Sequence, residues 1–582
     1  MKMSQSNYVR LTDADILTLE AQGCQCRDWS RVRVGVTTDL TLIRNVRFYG
    51  DVKIGELTIN SEKEQGIYNA VIRDCDIADN VYISNVCGEL KGATIGNRVR
   101  IENVGRIVFD AEADCGQGVA VGVFDETGSR PVYIYPGLTA QMASLMAYKP
   151  RWTEDVLLPL LQDYFFENQL PTSLGDDSEI VDTVCIENVS VGREVKIEGA
   201  LNLKNGAVIN NAPNGACVAG IGHGVNAENF IVEDGVVSNG VIMRNCFVGQ
   251  GAVLDKGFTA HDSLFFANCA CENGEACAVF AGPYTVTMHK STLLIGGQYS
   301  FMNAGSGTNS SNHMYKLGPI HWGVMQRGVK TSSGAYMMWG GRVGAFSLLM
   351  GAHKRHADTA LFPFSYLFAD NDGYTIVVPG VMMKSCGLKR DETKWPARDK
   401  RVKMRLPRHD NIMFDVLNPP VISAMLEALR VFDELEAKGV ESDGMYHYNG
   451  LRIKHSSLVK GREVYRIAVL KYLCDKTRDI DMSTIEAEQI VWVDLAGQIM
   501  PRGVLDDIYE MESLEEISSA FNQAYNDYAA TELRWVKWVL EHGWEEHMDE
   551  AEAAARQFDA DIEADRLRSR EMLSQHNNLF SL

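Results

Sequence analysis

A chain of 582 residues has room for several domains, and 56 Lys and Arg against 77 Asp and Glu leave a formal charge of -21. That balance argues against general nucleic-acid binding, which needs a broad basic surface. No run of about eighteen apolar residues occurs, so no transmembrane helix is expected. The opening MKMSQSNYVRLTDADILTLE lacks the apolar stretch of a secretory signal, so the thirteen cysteines read as free thiols in a reducing cytoplasm.

Residues 10–23 predict a short helix, with Thr12 or Asp13 as N-cap and Gly23 as stop. Apolar residues then recur every sixth position. Val46 and Val52, Phe48 and Ile54, then Val71, Ile77 and Ile83, and then Ile95, Ile101 and Ile107 form such columns. A helix repeats every 3.6 residues and an ordinary strand every 2, so neither explains the spacing. Flat segments of equal length that turn at each corner do, and hexapeptide spacing is the mark of a parallel β-helix. Asn and Gly crowd the corners because both tolerate left-handed backbone angles.

The period breaks at 123–172, which predicts a hairpin around Glu126-Thr127-Gly128 and helices over 138–148 and 153–166, with Thr153 as a helix start. The hexads resume with Val191, Ile197, Leu203 and Ile209. After a Gly-rich loop at 211–229 they reach their longest column: Phe230, Val236, Ile242, Val248, Leu254, Ala260 and Phe266. Cys24/Cys26 and Cys269/Cys271/Cys277 lack C-x-x-C spacing, and the last two fit the ladder, so they read as core residues in preference to a metal site.

From Ala276 to Ala357 no Asp or Glu occurs in 82 residues, where the chain average would give about eleven. The window holds seven Lys and Arg and five of the thirteen histidines. Residues 374–384 predict one more strand region, 388–410 a basic connector, and 411 onward helices, notably 421–439, 462–478 and 531–575. The expected units are therefore 1–122, 123–172, 173–387, 388–410 and 411–582.

These hexads resemble the hexapeptide-repeat transferase superfamily, over roughly residues 30–300 less the insertion. The whole chain also resembles a long, poorly characterised Bacteroides-type family grouped with the hexapeptide transferases. The resemblance implies a mainly β fold: a left-handed parallel β-helix solenoid with a helical insertion and a C-terminal α-helical region. The left hand comes from the resemblance; spacing does not supply it. Ala260-His261-Asp262-Ser263 is similar to the Ala-His-Asp-Cys segment of the UDP-sugar acyltransferases that begin lipid A synthesis, which implies His261 as general base and Asp262 as its orienting partner. LFFANCACENGEA after it departs from the usual aliphatic-Gly hexad.

Imidazole titrates near neutrality, as an acyl-transfer base must. A second candidate is 312–322, where His313 and His321 flank Lys316, and Asn309, Asn312 and Tyr315 could hydrogen-bond a sugar. Arg327, Lys330, Arg342, Lys354 and Arg355 are expected phosphate contacts for an anionic ligand that a chain of this charge would otherwise repel. Their rival reading is an interdomain one, because 503–566 carries eighteen acids against four Lys and Arg. His353 and His356 are three apart without a carboxylate nearby, a weak metal pattern, and no metal is expected.

The expected function is acyl transfer, from acyl-CoA or an acyl-carrier protein as co-substrate, to a sugar or nucleotide-sugar hydroxyl or amine. No tightly bound cofactor and no nucleic-acid or membrane partner is expected, and related β-helices are commonly oligomeric. Rivals are a nucleotidylyltransferase-like enzyme and a non-catalytic β-helical binding scaffold.

Overall fold

The computed structural model describes residues 8–59, 64–213, 219–311 and 318–579. The chain is mainly β, with a helical region following the strands. Most strands are short and pair in parallel, each with a strand one turn further along the chain rather than with its sequence neighbour.

Three ladders result. The first aligns Val34, Ile54, Ile77 and Ile95, passes through Leu174, Val191, Val208, Val232, Val248 and Phe265, and ends on Ala281, Tyr299, Met325 and Val343. The second runs from Ile43, Ile67, Ile83 and Ile101 to Ile180, Ile197, Ile221, Val237, Leu254 and Cys271. The third runs from Phe48, Ile72, Leu90 and Ile107 to Ile186, Leu203, Ala227, Met243, Ala260 and Ala276. All these side chains are buried, at roughly 1.5–3 kcal/mol for each large aliphatic or aromatic one. No single turn can bury its own inner face, so the stack is the unit of stability.

Ile95, Ile101 and Ile107 place one residue on each ladder, as their spacing predicts. The longest predicted column drifts. Val236 and Ile242 are 38% and 55% exposed, and their neighbours Val237 and Met243 point inward instead. The cause is the step from one inward residue to the next, which is five residues in some segments and six in others, as from Val232 to Val237 and from Val237 to Met243. The inward residues of the first ladder therefore advance 16 to 18 positions per rung here.

The corners carry side-chain ladders of their own. Asn45, Asn69, Asn85, Asn103 and Asp182 all hold positive φ, and each Asn donates its amide to the next member at 2.8–3.0 Å. A second stack runs Asn205, Asn229, Asn245 and Asp262, at 2.8–2.9 Å. A left-handed backbone costs most residues about 1–2 kcal/mol, and Asn and Asp tolerate it best after Gly.

Between Val108 and Ser173 the chain leaves the ladders, and Ile95 takes Leu174 as its next rung. The excursion holds an antiparallel hairpin, Ala120–Gly122 with Pro131–Tyr133, and helices Ala140–Tyr148 and Leu158–Glu167. Thr153 is not a helix start: it lies inside a helical turn that begins at Pro150, its buried hydroxyl donating to the Met146 and Lys149 carbonyls. Val121, Val132, Leu145, Met146 and Leu161 cover an outward stripe of the first ladder, Ala207, Ile231, Phe247, Leu264 and Phe280. The doublets Ile231-Val232, Phe247-Val248 and Leu264-Phe265 thus face two cores at once, one residue outward and one inward.

The short N-terminal helix spans Asp13–Ala21, with a Thr12/Asp15 capping box. Strand Tyr8–Arg10 lies antiparallel to Val32–Gly35. At the far end Tyr366–Ala369 pairs antiparallel with Thr375–Val378, which adjoins the hairpin Met445–Tyr448/Leu451–Lys454. Helices Pro419–Lys438 and His455–Thr477 pack on this end through the stacked rings Phe362, Phe432 and Tyr465. The connector is itself helical over Cys386–Arg398 and Lys400–Lys403. The expected 531–575 helix is two, Tyr528–Val539 and Met548–Leu579, broken where Gly543 takes φ 101°. A last hairpin, Trp492–Leu495 with Gln498–Pro501, reaches back to the ladders.

Candidate functional site

The ladders, the insertion and the helical region meet around a cleft of about 850 Å³. Its walls come from four places: the end of the insertion helix (Tyr148, Lys149), the late rungs of the first ladder (Gln298, Ser300, Gln326, Arg327, Arg342), the start of helix Pro419–Lys438, and the hairpin with its following helix (Trp492, Asp494, Arg502, Tyr509).

Arg327 forms the inner part. Its side chain is 2% exposed, and Nε donates to Asp494 Oδ2 at 2.7 Å. The two terminal nitrogens donate to the carbonyls of Met413 and Gly497, and the guanidinium lies 4.6 Å from the centroid of the Phe301 ring. The ladder is thereby tied to the hairpin and to the chain after the connector. The outer cations are of another kind. Arg342 and Arg502 have half-exposed side chains and pair with Asp358 and Asp506 at 2.8 and 3.1 Å. Lys149 is exposed, lies 3.9 Å from the Tyr509 ring centroid, and has no acidic partner among the described residues.

Tyr148 donates its hydroxyl to Gln298 Oε1. Burial, and then the nearby Asp494 and Tyr509, push its phenol well above the ordinary range. Burial likewise pushes Tyr509 up to about 12. Both are neutral donors at physiological pH. Helix Pro419–Lys438 brings its positive dipole end to the cleft but few donors. Its first two residues are prolines, and Asn418 Oδ1 already caps the Val421 amide at 3.2 Å.

Of the residues singled out from sequence, Arg327 and Arg342 line this cleft. Lys330 is paired with Asp391 of the connector. Arg355 lies over the Tyr374 ring at 4.1 Å and donates to the Asp372 carbonyl. Lys354 is exposed, and Asn309 sits on the third ladder next to Leu293 and Tyr336, its Oδ1 buried without a partner. Asn312, His313, Tyr315 and Lys316 lie outside the described residues. His321 precedes the cleft residue Trp322, and its ring is 5.8 Å from that of His356. His353 points inward on the third ladder, bonded to Thr375 and the Met350 carbonyl, and burial lowers its imidazole to about 4.

His261 stands away from the cleft lining, on the outer face of the third ladder between Arg244 and Cys277. Its Nδ1 is 2.7 Å from Asp262 Oδ2, and its side chain is half exposed. Asp262 also closes the second corner stack, accepting from Asn245 at 2.8 Å. It therefore orients the ring and turns the chain at once.

Tyr148, Lys149, Trp322, Trp492, Asp494 and Tyr509 were not legible as site residues, because they come from three separated segments. The one local signal was Asp358, the first acid after the acid-free window, which pairs with Arg342.

Residues 8–436 match a family described as Domain of unknown function (DUF4954), and residues 478–563 match Domain of unknown function (DUF6819). The cleft draws its walls from both segments. An uncharacterized protein of Treponema pallidum (strain Nichols) is 25% identical over 458 residues, 73% of this chain and 61% of that protein. The chain thus spans less than two thirds of that relative's length. With the first match running through ladders, insertion and connector, the chain belongs to the family described as Domain of unknown function (DUF4954).

Proposed function

We propose that the cleft binds an anionic, hydroxyl-bearing ligand of the nucleotide-sugar class, and that the parallel ladders are the coils of a left-handed β-helix of the hexapeptide-repeat kind. Three inward columns, rungs 16 to 18 residues apart from Val232 to Tyr299 and Asn-lined corners support the β-helix. The observation that carries the binding reading is the cleft itself. Lys149, Arg327, Arg342 and Arg502 gather there against Asp358 and Asp494, with Asp506 beside Arg502, so that Lys149 is the cation without an acid among the described residues, in a chain of charge -21. A cationic recess in an acidic molecule recruits an anion and focuses it.

A second reading keeps acyl transfer from coenzyme A or a carrier thioester, and His261 favours it. An imidazole held through Nδ1 by a carboxylate keeps Nε2 for a proton. In that step the acceptor hydroxyl gives its proton to Nε2 while its oxygen attacks the thioester carbonyl. The C–S bond breaks, and the leaving thiolate takes the proton back. Nothing in the cleft geometry links this dyad to the bound ligand, so the two readings stand on separate residues.

A thermal-shift series with UDP-sugars, UDP and coenzyme A tests both. A ligand at a hundred times its Kd stabilises the folded state by about 2.7 kcal/mol. Stabilisation by UDP-sugars that Lys149→Ala with Arg342→Gln weakens supports the cleft; no stabilisation by any phosphorylated probe sinks it. Thioester consumption lost on His261→Ala supports the second reading, and consumption that survives the change removes it.

A further inference from the structure

We infer that Cys277 is a nucleophile served by the His261–Asp262 pair, so that an acyl group passes over this face of the ladder as a thioester on the chain itself. This rests on the second reading of the function, acyl transfer at His261, and does not involve the cleft. Strand Thr259–Phe265 runs parallel to Glu275–Cys277, with His261 in register with Cys277. In-register residues of neighbouring strands point to the same face, on backbones about 4.8 Å apart. The preceding pair, Ala260 and Ala276, is buried, so imidazole and thiol stand side by side on the outside. His261 is exposed and Cys277 half-buried. Asp262 holds Nδ1 at 2.7 Å, which leaves Nε2 to take a proton. The other register neighbour of Cys277 is Ile295, so His261 is the one of the two that titrates.

The surroundings show why a thiol here needs a base. Burial first, and then the carboxylates of Glu126 in the insertion hairpin, Asp262 and Glu275, push it up to about 11. It is therefore protonated at neutral pH, and only the thiolate attacks. A neighbouring imidazole supplies the missing deprotonation, and a thiolate of high basicity is intrinsically a strong nucleophile. In the first step Nε2 takes the Cys277 proton while the sulfur attacks the donor thioester carbonyl. The donor C–S bond breaks, and its thiolate takes the proton from Nε2. In the second step Nε2 takes the proton of the acceptor hydroxyl or amine, whose oxygen or nitrogen attacks the acyl carbon. The C–S bond to Cys277 breaks, and its thiolate takes the proton back.

Two measurements on the full chain test the relay. The first is alkylation by iodoacetamide, read at each cysteine by peptide mass spectrometry. The Cys277 rate should rise through the imidazole range, about pH 6.5, and His261→Ala should lower it about a hundredfold at neutral pH. Cys185, which lies beside Arg106 at 3.2 Å, should react as before and so reports an intact fold. An unchanged Cys277 rate in His261→Ala would overturn the pairing of imidazole and thiol. The second is acid-quenched mass spectrometry after acetyl-CoA or an acetylated carrier protein. The wild type should carry an acetyl group on Cys277, and both His261→Ala and Cys277→Ala should abolish thioester consumption. Consumption that His261→Ala abolishes and Cys277→Ala leaves at the wild-type rate would keep acyl transfer and overturn the relay through sulfur. If the wild type consumes neither thioester, the second reading falls first and the relay falls with it.

Discussion

Replacing Arg327 with Met tests whether this residue is a structural tie or an open phosphate contact. The change removes one charge-assisted bond to Asp494, two bonds to the Met413 and Gly497 carbonyls and the contact with the Phe301 ring. Breaking a buried pair from one side costs about 3–5 kcal/mol. Asp494 is 23% exposed and keeps the Gly497 amide at 2.9 Å, so water and that donor recover part of the loss. The expected cost is therefore near the lower end, about 3 kcal/mol. It should fall on the hairpin Trp492–Pro501 and on 411–414, not on the stacked ladders. Amide hydrogen exchange reads this directly: protection in those segments should drop about a hundredfold, with the early rungs unchanged. Arg342→Met, which removes only an exposed pair, should change exchange little. If Arg327→Met leaves hairpin protection intact, the residue is not a tie, and its assignment as a ligand contact regains first place.

Three further outcomes follow from the geometry. Asn229→Ala removes two corner rungs and leaves a β-carbon at φ 55°, for a loss of about 2–4 kcal/mol in urea unfolding; Asn229→Gly should lose about 1–2 kcal/mol less, and equal losses would mean that backbone strain plays no part. Glu233 is buried near His409, Asp234, Tyr135 and Tyr164, and burial raises its carboxyl above the ordinary 4.5. The folded state then holds its proton more tightly than the unfolded chain, so stability falls as pH rises above 4.5. Glu233→Gln should flatten that part of the profile, and an unchanged slope in urea titrations run upward from pH 4.5 would rule the group out as its source. Gly206→Ala should destabilise the stacked turns around Phe230, because a β-carbon there would stand 2.4 Å from the Phe230 ring; an unchanged urea midpoint would show that the ring can move aside.

Much of the ladder was legible because burial leaves a period in the sequence. Ile95, Ile101 and Ile107 needed only counting. Counting fails at Val236 and Ile242 because a step of five rather than six residues, from Val232 to Val237, shifts the inward face by one. The doublets were ambiguous for a different reason: a residue that faces the insertion is as apolar as one that faces the ladder interior. The acid-free window was visible as composition. Its partners were not, since Asp391 and Asp494 lie far along the chain and only folding brings them to Lys330 and Arg327. The cleft was the least legible feature, because its residues share neither a segment nor a period.

The reversed pairings at the two extremes have a consequence for self-association. An open parallel stack would offer free backbone donors and acceptors at its first and last rungs, a template for adding another chain end to end. Tyr8–Arg10 runs against Val32–Gly35 at one extreme, and Thr375–Val378 runs against Tyr366–Ala369 under the helices at the other. Growth along the axis is blocked on those edges.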